Sequence, residues 1–332
     1  MALFPAVGRK QLHMRISWWL VVFVLCFGIF MHLIPVYFMI TTSFKPGSEV
    51  VSVPPTVWPH QFTLQAWRVA FQLLDTKITA FDTNVTLVSF FWNSLFMAGM
   101  VILISTPITA LAAYASSKLL RGPLARWIFL FFIGTMLVPG VITLVPTFLL
   151  VVHFPYAVTN VPDSYPQISL LDTPWAVIIP ALFNVMGFFY FKAFFDTIPD
   201  SIIQAARVDG GAELNIFRRI VLPMSVPVFA IVIAAQFGSI WDSYLWPSLA
   251  ITSKSKQPLS VAIYNLIQQF TALGSTNSNT ALMRGQANNL LQMGLSWNGI
   301  LVLGILQSIP TFLFFLLCFR YLLSGIRIRG LK

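Results

Sequence analysis

The chain has 332 residues, of which 57% are hydrophobic and only 9% are charged, and its mean hydropathy is +0.81. Because an average soluble domain is about one quarter charged, this composition excludes an ordinary soluble protein and predicts a membrane protein with several spans. The net charge of +10 does not indicate nucleic-acid binding, since the basic residues are spread along the chain and Lys and Arg accumulate in cytoplasmic loops of membrane proteins.

The first apolar run, Trp18 to Thr41, follows Arg9, Lys10 and Arg15. No small-residue cleavage site follows it and it is long enough to span a bilayer, so we expect a retained helix and not a signal peptide. Six runs of about this length predict six transmembrane helices in an all-α membrane protein. Their bounds are Trp18 to Thr41, Phe91 to Ser116, Trp127 to Val152, Pro174 to Phe195, Val226 to Pro247 and Gly299 to Leu323. Prolines inside these runs, among them Pro139, predict kinks.

The distribution of Lys and Arg predicts the orientation of the chain. If the N-terminus is cytoplasmic, the inner segments carry 14 basic residues and the outer segments carry 6. This bias predicts that both termini are cytoplasmic. Three long outer segments, Phe44 to Phe90, His153 to Asp172 and Ile251 to Asn298, either dock a soluble partner or cap the helices.

One segment between spans, Ile198 to Pro223, is rich in charges and glycines, and the orientation places it in the cytoplasm. We call it the elbow. Asp200 or Ser201 is expected to cap a first short helix, and Gly210-Gly211 is expected to end it before a second helix follows. Such a segment can lie flat at the lipid surface. However, its three acidic side chains mixed with arginines favour a protein partner.

Several positions of the elbow resemble a known motif: Gln204-Ala205-Ala206, Asp209-Gly210, Ile220 and Leu222-Pro223. The pattern is similar to the EAA loop of the membrane subunits of binding-protein-dependent ABC importers. Further similarity to the carbohydrate-uptake branch is carried by Asn93-Ser94, Ala112-Ala113-Tyr114-Ala115, Met136, Pro139, Trp241-Asp242, Leu245-Trp246-Pro247, Ser308-Ile309-Pro310 and Arg320-Tyr321-Leu322. The tail, Ser308-Ile309-Pro310 and then Arg320-Tyr321-Leu322 to Gly325, looks like the second of the two permeases in that branch, the maltose-importer type.

The resemblance implies an ABC importer type I-like permease fold and a set of partners. These are a second, homologous permease, two cytoplasmic ATPase subunits, an extracytoplasmic solute-binding protein and the lipid bilayer. It implies a permease core over 88–325, with 1–87 before it and a cytoplasmic tail over 326–332. ATP and Mg would be bound by the partner ATPase and no cofactor by this chain, which has no GxxxxGK[ST] motif. The expected location is a prokaryotic inner membrane.

The resemblance also assigns the elbow the role of docking onto the ATPase. The positions implied in coupling are Gln204, Ala205, Ala206, Asp209, Gly210, Glu213, Phe217, Leu222 and Pro223. We expect Asp209 to cap or pair, and Leu214 and Phe217 to anchor the elbow to the spans. The chain departs from the family pattern at Gln204, where Glu is usual, and at Gly211, where Ala is usual.

Candidates for the solute pathway are weaker. Trp241, Asp242 and Tyr244 at the outer end of the fifth span suit sugar hydroxyls and ring faces, but they also fit an aromatic belt. Asn184 and Asn93 either line the pathway or join helices. No metal-ligand spacing and no nucleophile–base arrangement is evident, so neither a metal site nor a catalytic residue is predicted. The alternatives are a permease for a non-sugar solute, a multi-spanning membrane enzyme, and a secondary transporter.

Overall fold

A computed structural model describes residues 12–75, 85–156, 166–273, 281–292 and 294–327, and these are almost entirely helical. The longer helices are α1 (Leu12–Ser43), α3 (Gln65–Asp75), α4 (Leu87–Tyr114), α5 (Gly122–Met136), α6 (Gly140–Val152), α8 (Val185–Phe195), α9 (Asp200–Val208), α12 (Val226–Trp241), α14 (Leu259–Ala272), α15 (Ala281–Gln292) and α16 (Trp297–Arg327). Shorter ones are α2 (Gly47–Val50), α7 (Trp175–Ala181), α10 (Glu213–Ile216), α11 (Leu222–Met224) and α13 (Leu245–Ala250). Within these ranges, β structure is limited to two isolated bridges.

Among the described residues, four helices are long and apolar enough to cross a membrane, and the number rises to six if each of two bent helix pairs forms one span. The four are Met14–Ser43, Leu87–Leu119, Trp175–Phe195 and Trp297–Tyr321. The six predicted runs therefore all correspond to helical segments, and the all-α membrane fold is confirmed. The expected fifth span is shorter than predicted, because α12 ends at Trp241 and α13 begins only at Leu245.

The predicted third span is a sharply bent pair of helices. α5 and α6 meet at an angle of 100°, and the break comes directly before α6, at Pro139. Proline lacks an amide hydrogen and clashes with the preceding turn, so it ends a helix or bends it. The sequence predicts a kink at this position, and the observed bend of 100° is much larger than an ordinary proline kink. The pair is also poorly covered by the rest of the chain, since α5 has no buried residue.

In the part of the chain that the structure describes, two large hydrophobic clusters hold most of the helices together, and two smaller ones lie around Ile251 and Ala250. One large cluster joins α3, α4, α12, α14 and α16, and its largest fully buried side chains are Phe90, Trp241 and Phe270. The other large cluster lies where α4 and α8 end against the elbow, and it includes Tyr114 and Phe195. Burial of side chains of this size is the main source of stability in each cluster.

The long helices run in alternating directions. Trp241 near the end of α12 donates its indole hydrogen to the carbonyl of Gln307, and Phe237 stacks on Phe314 at 4.5 Å. α16 is therefore antiparallel to α12, and its last described residues lie at the elbow end of the bundle. At the opposite end, Asn298 at the start of α16 donates to the carbonyl of Lys45 after α1.

Candidate functional site

The first half of the elbow is a helix with a well-formed C-terminal cap. α9 begins at Asp200, and no side chain caps its N-terminus, so the predicted capping by Asp200 or Ser201 is wrong. At the other end Gly210 has a φ of +80°, the amide of Gly210 donates to Arg207, and the amide of Gly211 donates to Ala206. This is a Schellman motif, in which glycine takes the left-handed position at low cost. The predicted stop at Gly210 is correct.

The second half of the elbow is irregular. α10 leads into a π-helical turn over Phe217–Val221, then into α11 and, after a bend of 82°, into α12. Ile216, Phe217 and Val221 are buried, whereas 66% of Leu214 is exposed. The prediction that Leu214 anchors the elbow is therefore wrong. The π turn adds a residue to the turn and shifts the buried stripe away from the spacing of a regular helix.

Aromatic packing fixes the elbow to the spans. The Phe217 ring lies 5.3 Å from the Tyr114 ring and 6.3 Å from the Phe195 ring, measured between centroids. Ile203 of α9 is 2% exposed and belongs to the same cluster. Phe217 thus anchors the elbow as predicted and cannot present its side chain to a partner.

A polar network joins the two halves of the elbow to α4. Glu213 accepts a hydrogen bond of 2.8 Å from the Tyr114 hydroxyl and one of 2.5 Å from Nε of Arg207. Arg207 lies in the last turn of α9 and Glu213 starts α10. The pair therefore spans the Gly210-Gly211 break, and Tyr114 ties it to the end of the second predicted span. Charge-assisted hydrogen bonds of this kind are stronger than neutral ones.

Lys118 makes a second tie at the start of the elbow. Its side chain is 5% exposed, and its ammonium donates 2.7 Å hydrogen bonds to the carbonyl of Ile198 and to Oδ1 of Asp200. These bonds offset the cost of burying the amine. The hydrogen bond from Lys118 also holds the pKa of the Asp200 carboxyl below its ordinary value.

The remaining coupling candidates lie on the outer face of the elbow. Gln204, Ala205, Asp209, Gly210, Leu222 and Pro223 are exposed, and Ala206 is half-buried. Val208 is 88% exposed on the same helix. Among the described residues, no hydrogen-bond partner is found for the side chains of Gln204 and Asp209, so Asp209 ends α9 through its backbone without pairing.

Sequence reasoning missed Lys118, Tyr114 and Arg207 as the residues that hold this surface. Lys118 and Asp200 are 82 positions apart in the sequence, and no periodicity links them. The only available signal for Tyr114 was its place in the Ala112 to Ala115 segment that carries the family resemblance.

The structure disperses most of the predicted pathway residues. Trp241 is 1% exposed and stacks on Phe237, so its ring is part of the core. Asn93 donates to the carbonyls of Ser255 and Gln257 and thereby fixes an outer loop. Tyr244 stacks on Tyr264 at 4.7 Å, while Asp242 is exposed next to Gln307.

Among the pathway candidates, Asn184 lines a cavity. The helix of the fourth span breaks between α7 and α8, and Asn184 caps α8 by accepting from the amide of Gly187 at 2.8 Å. The break opens onto a cavity of about 540 Å³ between α8 and α12. Its lining residues are Ala181, Phe183, Asn184, Val185, Met186, Gly187, Tyr190, Val232, Ala235, Gln236, Ser239 and Ile240. These are uncharged, and they combine amide and hydroxyl groups with two aromatic rings.

Irregular backbone at membrane depth is tolerated where its polar groups are satisfied or face a water-filled cavity. Ser105 of α4 donates to the carbonyl of Leu182 at the break, and Thr106 donates to the side-chain oxygen of Gln236. The break and the cavity are thus held by hydrogen bonds from α4.

Comparison with known proteins agrees with this architecture. The polygalacturonan/rhamnogalacturonan transport system permease protein YtcP of Bacillus subtilis is 29% identical over 70% of this chain and 72% of its own length. The inner membrane ABC transporter permease protein YcjP of Escherichia coli is 26% identical over 90% of this chain and 91% of its own length. The arabinooligosaccharides transport system permease protein AraQ of B. subtilis is 24% identical over 91% of both chains.

Among solved structures, one chain of a bacterial ABC transporter involved in the import of the acidic polysaccharide alginate has a similar fold. The TM-score is 0.65 at 20% identity, with 96% of this chain and 99% of that chain covered. Residues 105–327 match the family model described as the binding-protein-dependent transport system inner membrane component. The chain therefore belongs to that family, and it is a multi-pass permease subunit of a binding-protein-dependent ABC importer and not an enzyme.

Proposed function

We propose that this chain is one half of the translocation pathway of a carbohydrate importer and that its elbow transmits the action of cytoplasmic ATPase subunits. The observation that carries the coupling proposal is the contrast within the elbow. Its inner face is fixed by Phe217, Glu213 and Lys118, while Gln204 and Ala205 are exposed. Because the elbow is fixed to the spans in this way, a movement of the bound ATPase can be transmitted through it to the transmembrane helices.

The proposed partners follow from family membership. A second permease would complete the pathway, a solute-binding protein would deliver solute on the outer side, and two ATPase subunits would bind ATP and Mg. A second solved alginate ABC transporter, with a TM-score of 0.61 to this chain, is in complex with an alginate pentasaccharide-bound periplasmic protein. We place this chain in the inner membrane with the elbow and both termini in the cytoplasm, in agreement with the excess of Lys and Arg on that side.

The proposed solute is an uncharged carbohydrate. One relative is named for transport of arabinooligosaccharides, which are neutral, and another for polygalacturonan/rhamnogalacturonan, of which polygalacturonan is acidic. The cavity at the α7–α8 break favours the neutral class, because its lining suits sugar hydroxyls and carries no charge. Asn184, Gln236 and Ser239 offer hydrogen-bonding groups, and Tyr190 and Phe183 offer ring faces. An anionic solute would need a cationic side chain beside it, because an unpaired buried charge is costly, and the lining of this cavity contains no such side chain.

A second candidate solute is sn-glycerol 3-phosphate. The sn-glycerol-3-phosphate transport system permease protein UgpE of Brucella suis is 23% identical over 91% of this chain. The uncharged cavity argues against this solute, because a phosphate would be left without a cationic partner on this subunit.

Uptake by proteoliposomes tests the proposal. The chain is co-expressed with an ATPase, a second permease and a solute-binding protein encoded in the same genome, purified, and reconstituted with internal ATP. We expect ATP-dependent uptake of a neutral oligosaccharide carried by that binding protein, and loss of uptake in Tyr190→Leu with ATP hydrolysis retained. Purification without any ATPase would contradict the coupling role, and uptake of glycerol phosphate alone would contradict the carbohydrate assignment.

A further inference from the structure

A second cavity, separate from the one assigned to the solute pathway, lies at the elbow end of α5 and α8. It has a volume of about 510 Å³ and is lined by Ser116, Ala125, Arg126, Phe129, Phe189, Lys192, Ala193 and Asp196. We propose that this cavity is a binding site for the headgroup and upper acyl chain of an anionic phospholipid.

The charges in the cavity favour an anion. Lys192 is paired with Asp196 at 2.9 Å, which leaves Arg126 as the cation that sets the local balance. Arg126 is exposed, and it has no ion-pair partner within the parts of the chain that the structure describes. Its guanidinium can hold a phosphate through two parallel hydrogen bonds. Basic pockets between transmembrane helices are a recurring form of anionic-lipid site.

The walls of the cavity favour a lipid over a soluble anion. Phe129 and Phe189 meet edge to face at 5.5 Å, and the Lys192 ammonium lies 5.6 Å from the centre of the Phe129 ring. The apolar rings and the stem of Lys192 would contact an acyl chain while the ammonium stays near the headgroup. Inorganic phosphate could use the cations but not these walls.

The position of the cavity matches the level of lipid headgroups. Arg126 lies in the first turns of α5, and Asp196 ends α8, so both mark the ends of apolar helices. Trp127, next to Arg126, is 70% exposed, as expected for a ring at the membrane–water interface. The α5 helix has no buried residue, so the described part of this chain leaves that side of the cavity uncovered.

A buried polar atom in the cavity lacks a partner. Ser116 is 5% exposed, and its buried hydroxyl makes no hydrogen bond among the described residues. A buried hydroxyl is costly unless it finds a partner, and a phosphate or glycerol oxygen of the lipid would supply one.

Native mass spectrometry tests the proposal. The full-length chain, purified with the subunits that accompany it, is incubated with mixed micelles of phosphatidylglycerol and phosphatidylcholine, and the retained lipids are counted. We expect selective retention of phosphatidylglycerol. Arg126→Gln should lower the ratio of retained phosphatidylglycerol to phosphatidylcholine roughly fivefold, the effect of one basic residue near an anionic surface. Arg121→Gln is the matched control, because Arg121 is exposed at the same end but does not line the cavity.

A second variant separates a shaped site from general attraction by charge. Ala193→Phe fills the cavity without changing its charge, and it should also abolish the preference for phosphatidylglycerol. An excess of inorganic phosphate should leave the ratio unchanged. Equal retention of the two lipids by the unmodified protein, equal effects of Arg126→Gln and Arg121→Gln, retained preference in Ala193→Phe, or displacement of the lipid by phosphate would each overturn the proposal.

Discussion

The hydroxyl of Tyr114 donates a 2.8 Å hydrogen bond to Oε2 of Glu213, and this bond joins the end of a membrane span to the middle of the elbow. The other carboxylate oxygen of Glu213 accepts from Arg207. Through one side chain, α4 is thus connected to both helices of the elbow. We regard this connection as the mechanical link between the exposed docking face and the bundle.

Replacing Tyr114 by Phe tests that link. The ring and its packing on Phe217 are retained, but the hydrogen bond to the carboxylate is lost, which should cost roughly 1–2 kcal/mol. We expect a lower melting temperature and a reduced ratio of solute transported to ATP hydrolysed in proteoliposomes. Tyr37→Phe is a suitable control, because Tyr37 also donates to one acceptor but lies on α1. Unchanged coupling in Tyr114→Phe would show that the bond does not transmit movement.

Gly210 is the position where the backbone itself should limit substitution. Its φ of +80° is unfavourable for any residue with a Cβ. Such a residue would destabilise the fold by roughly 1–2 kcal/mol, and a β-branched residue by more. No atom lies within 4 Å of a Cβ added there, so the effect is one of backbone strain and not of steric clash within this chain. We therefore expect Gly210→Val to insert in the membrane but lose transport.

Gly210→Asn supplies the comparison, because asparagine tolerates the left-handed conformation. If the backbone conformation is what matters, Asn should retain most transport. Equal loss in both variants would instead indicate that the partner requires the absence of any side chain at this position.

Gln204 stands where related loops usually carry Glu. Its side chain is exposed and no hydrogen-bond partner is found for it in the described ranges. Gln204→Glu should therefore leave the melting temperature of the isolated chain unchanged. In the assembled importer it should make ATPase binding more sensitive to salt, since exposed charge pairs are screened. A large change in stability of the isolated chain would mean that Gln204 has a partner within it.

The contacts of Asp172, at the opposite end of the bundle from the elbow, predict that the stability of the fold depends on the charge of this carboxylate. The carboxylate accepts 2.6 Å hydrogen bonds from the amide and hydroxyl of Ser253 and a 3.0 Å bond from Lys256. Chiefly through the Ser253 hydroxyl, these contacts hold the pKa of Asp172 well below its ordinary range. They join the segment before α7 to the loop after α13.

The sign of the pH effect follows from the lowered pKa. The stabilisation is complete above the unfolded value of about 4 and is lost as the pH falls through the lower folded pKa. Asp172→Asn keeps the φ of 58° accessible, removes the charge and replaces one accepting oxygen by an NH2 group that cannot accept from Ser253 or Lys256. We expect it to lower stability by roughly 1–2 kcal/mol at all pH values from 5 to 8, measured by thermal unfolding. A difference that grows steeply across that range would assign the titration to another group.

The sequence was sufficient for the features that depend on local chemistry. Apolar runs predicted the helices, and the Gly210-Gly211 pair predicted the cap, because both follow from residues close in the chain. The prediction for Leu214 is wrong because it assumed a regular helix through a π turn. Trp241 was expected near solute, but its partners Gln307 and Phe237 place it in the core. The ties of Lys118 and Tyr114 join distant parts of the chain and could not be read from local spacing.

The most direct measurement of the coupling role is site-specific photo-crosslinking in the assembled, transport-active importer. A photoreactive amino acid is placed at Ala205 on the exposed face of α9 or at Trp58, which is 67% exposed in the segment after α1. We predict that the probe at Ala205 forms an adduct with the ATPase subunit and that the probe at Trp58 does not. An active importer in which Ala205 crosslinks only to lipid, or to the binding protein, would contradict the account.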